Sequence, residues 1–380
     1  MVDPKFKKVP IKKVPIMSQE TNNIFEKYPG YEATIGIEVH VQLKTNSKIF
    51  CSCPNQFGQK PNSNICNVCT GQPGVLPVLN KKVVDYAIMA GIATNCSITR
   101  TCDFARKHYI YPDLPKNYQI TQSDKPICAD GYLPIESIDG KEKHVRLIRI
   151  HMEEDAGKNI HSSAGISWVD LNRAGTPLLE IVSHPDIADA FEAKEYLTRL
   201  HTIIRYLGIS TANMDEGSFR ADVNISIRKK GASALGTKVE LKNINSFKFI
   251  VNAIDYEIER QIHMIESGER IKQETRLWDS KQQKTFFMRS KEEAQDYRYL
   301  TEPDLPEIRI DDAWFDSIKK QIPELPQDKF KRFQKDFALS AYEANILILD
   351  QTLADFFEQA TKASNNPKAI CNWVLRDLLA

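Results

Sequence analysis

Residues 150–182 read IHMEEDAGKNIHSSAGISWVDLNRAGTPLLEIV. Glu153, Glu154 and Asp155 close an apolar-alternating run and lead straight into Ala156-Gly157-Lys158. Further on, Asn172-Arg173-Ala174-Gly175-Thr176-Pro177 opens a second short apolar run that carries Glu180. Acids stacked at the mouth of a strand repel one another, so an ordered arrangement calls for a cation. A hard divalent metal with oxygen ligands supplies one, and it is also how proteins manage phosphate groups. An isolated Glu-Glu-Asp is more simply a solvated turn. Here matching acids recur on other strand-like segments.

One such segment is 33–43, ATIGIEVHVQL, which alternates cleanly. Ile35, Ile37, Val39 and Val41 share one face, and Gly36, Glu38, His40 and Gln42 share the other. Another begins after Met214-Asp215-Glu216-Gly217-Ser218-Phe219-Arg220: Val223, Ile225 and Ile227 face one way, while Asp222, Asn224, Ser226 and Arg228 face the other. Residues 145–152 read as a strand delivering the first acids, and 238–242 as a further short one. Helices are expected over 188–207, after Asn80, and after Asn245-Ser246, each with an apolar stripe. Strand, acid-bearing turn, strand and helix recur in a non-alternating order, which favours an antiparallel α+β domain over a doubly wound sheet. Beyond Glu302-Pro303-Asp304-Leu305-Pro306 the pattern turns helical over 325–337, 340–350, 352–364 and 367 onward.

The chain has 380 residues and a formal net charge of +1, a size suited to about two or three domains. Its apolar runs fall well short of the roughly twenty residues a membrane helix needs. The opening MVDPKFKKVPIKKVPIMSQETNN, with its tandem KKVPI, reads as a disordered basic arm or as sequence upstream of a start at Met17. Of eight cysteines, Cys51 and Cys53 precede a turn-rich loop that ends in Cys66 and Cys69. Two close pairs can converge as four thiolates around a tetrahedral zinc; a disulfide or free thiols is the other reading. Residues 103–116, DFARKHYIYPDLPK, interleave basic and aromatic side chains suited to a phosphate or a stacked base. The sequence contains no Gly-x-x-x-x-Gly-Lys-[Ser/Thr] loop and no Gly-x-Gly-x-x-Gly turn. A nucleotide would therefore sit on a sheet with metals and arginines.

Together IGIEVHVQL, KIFCSC, CNVCTGQPG, RKHYIYPDLPKNYQI, MEEDAGK, DLNRAGTPLLEIVS, EGSFRADVNISIR, KVELKNINSF, TRLWD and MRSKEEAQDYRYLTEPDLP resemble the B subunit of the tRNA-dependent amidotransferases. The resemblance runs from about Ala33 to Pro306. It implies an antiparallel cradle domain over 33–306, similar to glutamine synthetase and guanido kinases, with a zinc knuckle at 51–69. The arm would span 1–32, and an all-helical domain 307–380 would be cut short, its tRNA-touching tail absent. It also implies the reaction. ATP phosphorylates the side-chain carboxylate of Glu-tRNA(Gln) or Asp-tRNA(Asn), and ammonia displaces phosphate to give the amide.

By the same resemblance Glu38, His40, Glu153, Glu154, Glu180 and Asp222 are expected to act in catalysis as ligands of Mg²⁺. Lys158, Arg173, Arg220 and Lys242 are expected to contact phosphate, from charge and position. Cys51, Cys53, Cys66 and Cys69 are the expected Zn²⁺ ligands. The family's A and C subunits would be the partners, supplying the ammonia-producing amidase and a strap, in a cytoplasmic heterotrimer with no membrane contact. His184 stands where the family pattern leads one to expect glutamate, and Ala221 replaces a usual cysteine. The rival class is a zinc-containing RNA-binding protein without catalysis. It would leave the same-face acids unexplained, since bare carboxylates repel a nucleic-acid backbone.

Overall fold

The computed structural model describes residues 23–161, 165–290 and 296–379. Described residues up to Ile322 form one compact unit, and those from Pro323 form a second. The first is organised on strand β1 (Tyr31–Gln42). Its Ala33, Ile35, Ile37, Val39 and Val41 are buried, which leaves Glu38, His40 and Gln42 on the opposite face. A one-turn helix α1 (Ile24–Lys27), capped by the Asn23 side chain, precedes it. Residues 23–32, expected in a disordered arm, are thus a helical turn and the start of the central strand. Residues 1–22 of that arm lie outside the described residues.

After the cysteine loop comes α2 (Lys81–Ala93), whose N-cap Asn80 accepts from the Lys82 N–H as its sequence position suggests. Short strands β2 (Ser97–Ile98), β3 (Thr101–Cys102), β4 (Ala105–His108) and β5 (Tyr118–Thr121) lead to the long strands β6 (Cys128–Glu136) and β7 (Glu142–Glu154). The hairpin β8 (Lys158–His161) and β9 (Ser167–Asp170) is followed by β10 (Pro177–Ser183), α3 (Ala190–Tyr206), β11 (Phe219–Lys229) and β12 (Val239–Lys242). Then come α4 (Phe247–Glu266), β13 (Glu274–Asp279), β14 (Lys284–Ser290), β15 (Leu300–Thr301), β16 (Ile308–Arg309) and α5 (Asp312–Lys319).

Nine strands make one sheet in the order β14-β13-β12-β11-β1-β10-β7-β6-β2. Its pairs are antiparallel except β12 with β13, which are parallel and joined through α4. The result is a large antiparallel-dominated sheet with several helices, in line with the α+β expectation. The helices cover its apolar face. Phe219, opposite Val41, meets His201 of α3 at 5.2 Å and Phe247 of α4 at 6.3 Å between ring centroids. Cys128, opposite Ile150, rests its thiol on the Ala87 carbonyl of α2 at 3.5 Å. Burial of these branched and aromatic side chains is the main stabilising term, at about 25 cal/mol per Å².

Strand β7 breaks simple alternation. Val145 and Leu147 are buried, and so are Ile150 and Met152. The phase changes at Ile148, where the pairing with β10 steps from Val182–Arg149 to Ser183–Leu147. Ile148 is the extra residue of a β-bulge, which re-aims the strand beyond it. Arg149, His151 and Glu153 consequently share the face of Glu38 and His40.

Helix α5 belongs to this first unit: Trp314 donates its indole N–H to Asp85 of α2 at 2.8 Å. The chain therefore divides after Ile322, where the sequence reading draws the line after Pro306. The second unit is helical: α6 (Pro326–Phe337), α7 (Ala341–Ile348), α8 (Gln351–Ser364) and α9 (Pro367–Trp373), the last passing into a π-helical turn, Val374–Leu378. Phe333, Phe337 and Phe357 meet in its core at tilted to edge-on angles, with centroids 5.2–5.4 Å apart. Among the described residues no helix is long and apolar enough to cross a membrane.

Candidate active site

Register places the polar face in rows. Arg220 of β11 lies opposite His40, His40 opposite Glu180, and Glu180 opposite His151, so one line crosses four strands. The neighbouring row runs Asp222, Glu38, Val182, Arg149. A third brings Gln42 and Leu178 to Glu153. These alignments are what alternation across antiparallel strands requires.

Within this face His40 Nε2 and one carboxylate oxygen each of Glu153 and Glu180 lie within 4.8 Å of one another. The imidazole is 3.4 Å from Glu180 and 3.8 Å from Glu153. A magnesium ion with ligands at about 2.1 Å spaces its donors by about 3–4 Å, so this trio fits a divalent cation with small adjustments. Histidine is an unusual magnesium ligand, and Mn²⁺ suits the set equally.

The sequence reading missed His151. It is buried, and its Nε2 sits 3.4 Å from Glu180 and 3.5 Å from Glu153. Burial disfavours its protonation, but the two carboxylates carry the ring up to about 9. Burial would likewise raise Glu180, yet His151 and His40 hold its carboxyl well below the usual carboxylate range. His40 too is raised, against burial, by Glu180 and then Glu153. Thr121 of β5 donates to Glu153 at 3.1 Å, and the charges of Glu153 and Glu180 help to raise Lys107 of β4 against burial. His151 has a signal in the sequence: it stands two residues before Glu153, the spacing that puts strand residues on one face.

The six expected metal ligands do not all converge. Glu38 and Asp222 are directly opposite each other. Glu38 accepts from Asn224 at 2.9 Å, and Asp222 accepts from Lys242 at 2.6 Å. Burial raises the Glu38 carboxyl, with help from Glu180, Asp222 and Glu240. Glu154 turns to the opposite side, where it pairs with Lys116 and accepts from the Ile120 N–H at 2.9 Å. Adjacent strand residues must diverge in this way.

The expected phosphate contacts also separate. Lys158 is exposed on β8. Arg173 donates to the carbonyls of Ala156 and Gly157 at 2.9 and 2.6 Å. Arg220 donates to buried Asp155 at 3.0 Å. Burial alone would raise Asp155, but Arg220 and Arg173 keep it low. Lys242 is tied to Asp222. His184 donates its backbone N–H to the Arg146 carbonyl at 2.8 Å. Ala221 is buried opposite Val39, a packing position.

The four loop cysteines do converge, with all four sulfur atoms within 4.8 Å of one another. Cys66 and Cys69 are 3.9 Å apart, close to the roughly 3.8 Å edge of a zinc tetrahedron with Zn–S bonds of about 2.3 Å. Hydrogen bonding from Cys51 brings the Cys69 thiol down to about 4, while burial pushes Cys53 up to about 11. The fully buried Lys48 ammonium lies 3.6 Å from the Cys69 sulfur. A thiol held low beside a lysine, with three further sulfurs around it, is a donor set a soft tetrahedral metal suits.

A carboxylate and histidine face on a rigid sheet, beneath a smaller sheet that brings in a lysine, is the architecture of an enzyme. Residues 33–316 match a family described as the GatB/GatE catalytic domain. The chain is 56% identical over 353 residues to the B subunit of the aspartyl/glutamyl-tRNA(Asn/Gln) amidotransferase from Carboxydothermus hydrogenoformans, covering 92% of this chain and 73% of that one. Relatives of the same name from Thermodesulfovibrio yellowstonii and Trichlorobacter lovleyi are 53% and 55% identical, with the same coverage. The chain belongs to the GatB/GatE catalytic domain family.

Proposed function

We propose that this chain carries the amidation site of a multi-subunit tRNA-dependent amidotransferase, a ligase using glutamine as amido donor in protein biosynthesis. In this reading the side-chain carboxylate of Glu-tRNA(Gln), Asp-tRNA(Asn) or both attacks the γ-phosphorus of ATP, and ADP leaves. Ammonia from the amidase partner then attacks the acyl carbon, phosphate leaves, and Gln-tRNA(Gln) or Asn-tRNA(Asn) results. The strap partner completes a cytoplasmic heterotrimer. The observation that carries the reading is the convergence of His40, Glu153 and Glu180 on one sheet face, because phosphoryl transfer between two anions depends on positioning and charge compensation.

His40, Glu153 and Glu180 would hold magnesium, with Glu38 and Asp222 flanking, and the ion would screen the phosphate charge from the approaching carboxylate. The chain's own groups support this. Thr121 fixes Glu153, and His151 braces Glu180. Lys107 lies 4.8 Å over the Tyr297 ring; from β4 it offers a cation to the reacting anions. Tyr109, Tyr297 and Tyr299 pack edge to face at 6.0–6.3 Å beside it. Among the four expected phosphate cations, Arg220 and Lys242 border this face but would reach phosphate only by leaving Asp155 and Asp222; Arg173 is held by backbone carbonyls and Lys158 is exposed. The cysteine cluster would hold zinc in a structural role, since four thiolates leave no open position.

The test is ADP release by the chain assembled with its amidase and strap partners, measured with and without each mischarged tRNA. ATP cleavage that requires Glu-tRNA or Asp-tRNA, and amide formation that requires the partners, are expected. Glutamine-dependent amidation by the chain alone, or ATP cleavage indifferent to tRNA, would overturn the assignment.

A further inference from the structure

We propose that Arg149 is a substrate-contacting residue of this face, its guanidinium meeting an anionic oxygen of the reacting group. That oxygen belongs either to a nucleotide phosphate or to the acceptor carboxylate, and the inference rests on the proposed function above. Arg149 reaches the polar face because of the bulge at Ile148, without which β7 would aim it at the helices. It stands opposite Val182 in the row of Glu38 and Asp222, two residues from His151 and four from Glu153.

Its charge distinguishes it. Arg220 is bound to Asp155, Lys242 to Asp222 and Lys116 to Glu154. The Arg149 Nε, by contrast, is buried and has no hydrogen-bond partner among the described residues. A buried donor left without an acceptor is a cost that folds rarely carry unless a ligand meets it. Arg149 and Lys107 both act electrostatically on the Tyr299 hydroxyl. A planar fork of N–H groups suits the paired oxygens of a carboxylate or phosphate and is not replaced by the point charge of lysine.

The experiment uses the assembled complex with Arg149→Ala and Arg149→Lys. It reads KM for ATP, KM for mischarged tRNA, calorimetric binding of a non-hydrolysable ATP analogue with Mg²⁺, and Mn²⁺ binding by electron paramagnetic resonance. Arg149→Ala is expected to raise one KM at least tenfold, with Mn²⁺ affinity and the thermal midpoint unchanged and Arg149→Lys falling between. A loss on the ATP arm, matched by weaker analogue binding, assigns the phosphate; a loss on the tRNA arm alone assigns the carboxylate. Both KM values within twofold of wild type, or parallel losses of Mn²⁺ binding and thermal midpoint, would overturn the role of Arg149. A wild-type complex without tRNA-dependent ATP cleavage would overturn the proposed function itself, and this inference with it.

Discussion

His151 and Glu180 stand directly opposite each other on β7 and β10, with Nε2 3.4 Å from the carboxylate. The other ring nitrogen, Nδ1, is buried with no hydrogen-bond partner among the described residues. The imidazole thus spends its polar contacts on two acids, Glu180 and Glu153. The Glu180 carboxylate kept ionised by such a neighbour would release no proton to a cation, whereas His40, which the same acids hold above its ordinary value, would.

Removing a member of the trio should therefore disable phosphoryl transfer while sparing the fold. Glu153→Gln or His40→Ala should lower tRNA-dependent ATP cleavage a hundredfold or more, roughly 3 kcal/mol in barrier. Glutamine hydrolysis by the amidase partner should persist. Single-turnover ADP release checks this, with circular dichroism as the control for folding. Near-normal cleavage would leave these groups a structural role only.

The cysteine cluster should bring about one zinc equivalent per chain through purification under reducing conditions. Cys69→Ser should lose that metal and lower the thermal midpoint, because binding energy at a structural site is folding energy. Elemental analysis and a melting curve with added chelator decide the point, and metal-free protein of unchanged stability would refute it.

Glu257 of α4 is fully buried beneath β13 and β14. It accepts from Arg260 at 2.9 and 2.6 Å, from Gln261 at 2.9 Å and from Thr285 at 3.1 Å, with Arg276 3.7 Å away. Glu257→Ala would take the close carboxylate from Arg260, leaving it Glu274 at 3.8 Å, while Arg276 keeps Glu274 at 2.6 Å; breaking the buried pair is expected to cost about 3 kcal/mol. Denaturant unfolding measures it; a loss below about 1 kcal/mol would show that water replaces the carboxylate.

Asp255, also on α4, has a carboxyl raised to about 7 by burial, with Asp189 and Glu259 adding to it. The folded chain holds this proton more tightly than the unfolded chain, whose aspartates titrate near about 4. The associated stability is complete below about pH 4 and is lost as pH rises through about 7. Asp255→Asn should flatten that decline and raise the thermal midpoint at about pH 8 relative to wild type. An unchanged pH profile of unfolding would place Asp255 in contact with solvent.

Alternation and capping made much of this architecture readable. Residues 33–43 announce the central strand and the shared face of Glu38 and His40, and Asn80 and Ser246 cap the helices their positions suggest. The cysteine spacing likewise anticipates the cluster. What escaped depends on pairing between distant segments. Of the two acids that make His151 part of the site, Glu153 stands two residues on in its own strand, but Glu180 comes from β10. The bulge at Ile148 shifts the phase of β7 through its register with β10, which local periodicity does not report. Glu154 was open to the alternation rule, which sends it away from Glu153; the family resemblance grouped the two acids instead. The cations were nominated by charge alone, and charge does not say which acid each already holds.

The position of β1 also bears on how the protein is made. It lies early in the chain, yet its two neighbours, β10 and β11, begin at Pro177 and Phe219. At a synthesis rate of about 5–20 residues per second, β1 leaves the ribosome on the order of ten seconds before either edge can be paired. During that interval Ile35, Ile37, Val39 and Val41 form an open, adhesive ribbon. Glu38 and His40 interrupt it with charge and polarity, as gatekeeper residues do beside hydrophobic strands. Replacing both with apolar residues is therefore expected to be felt first as lost soluble yield.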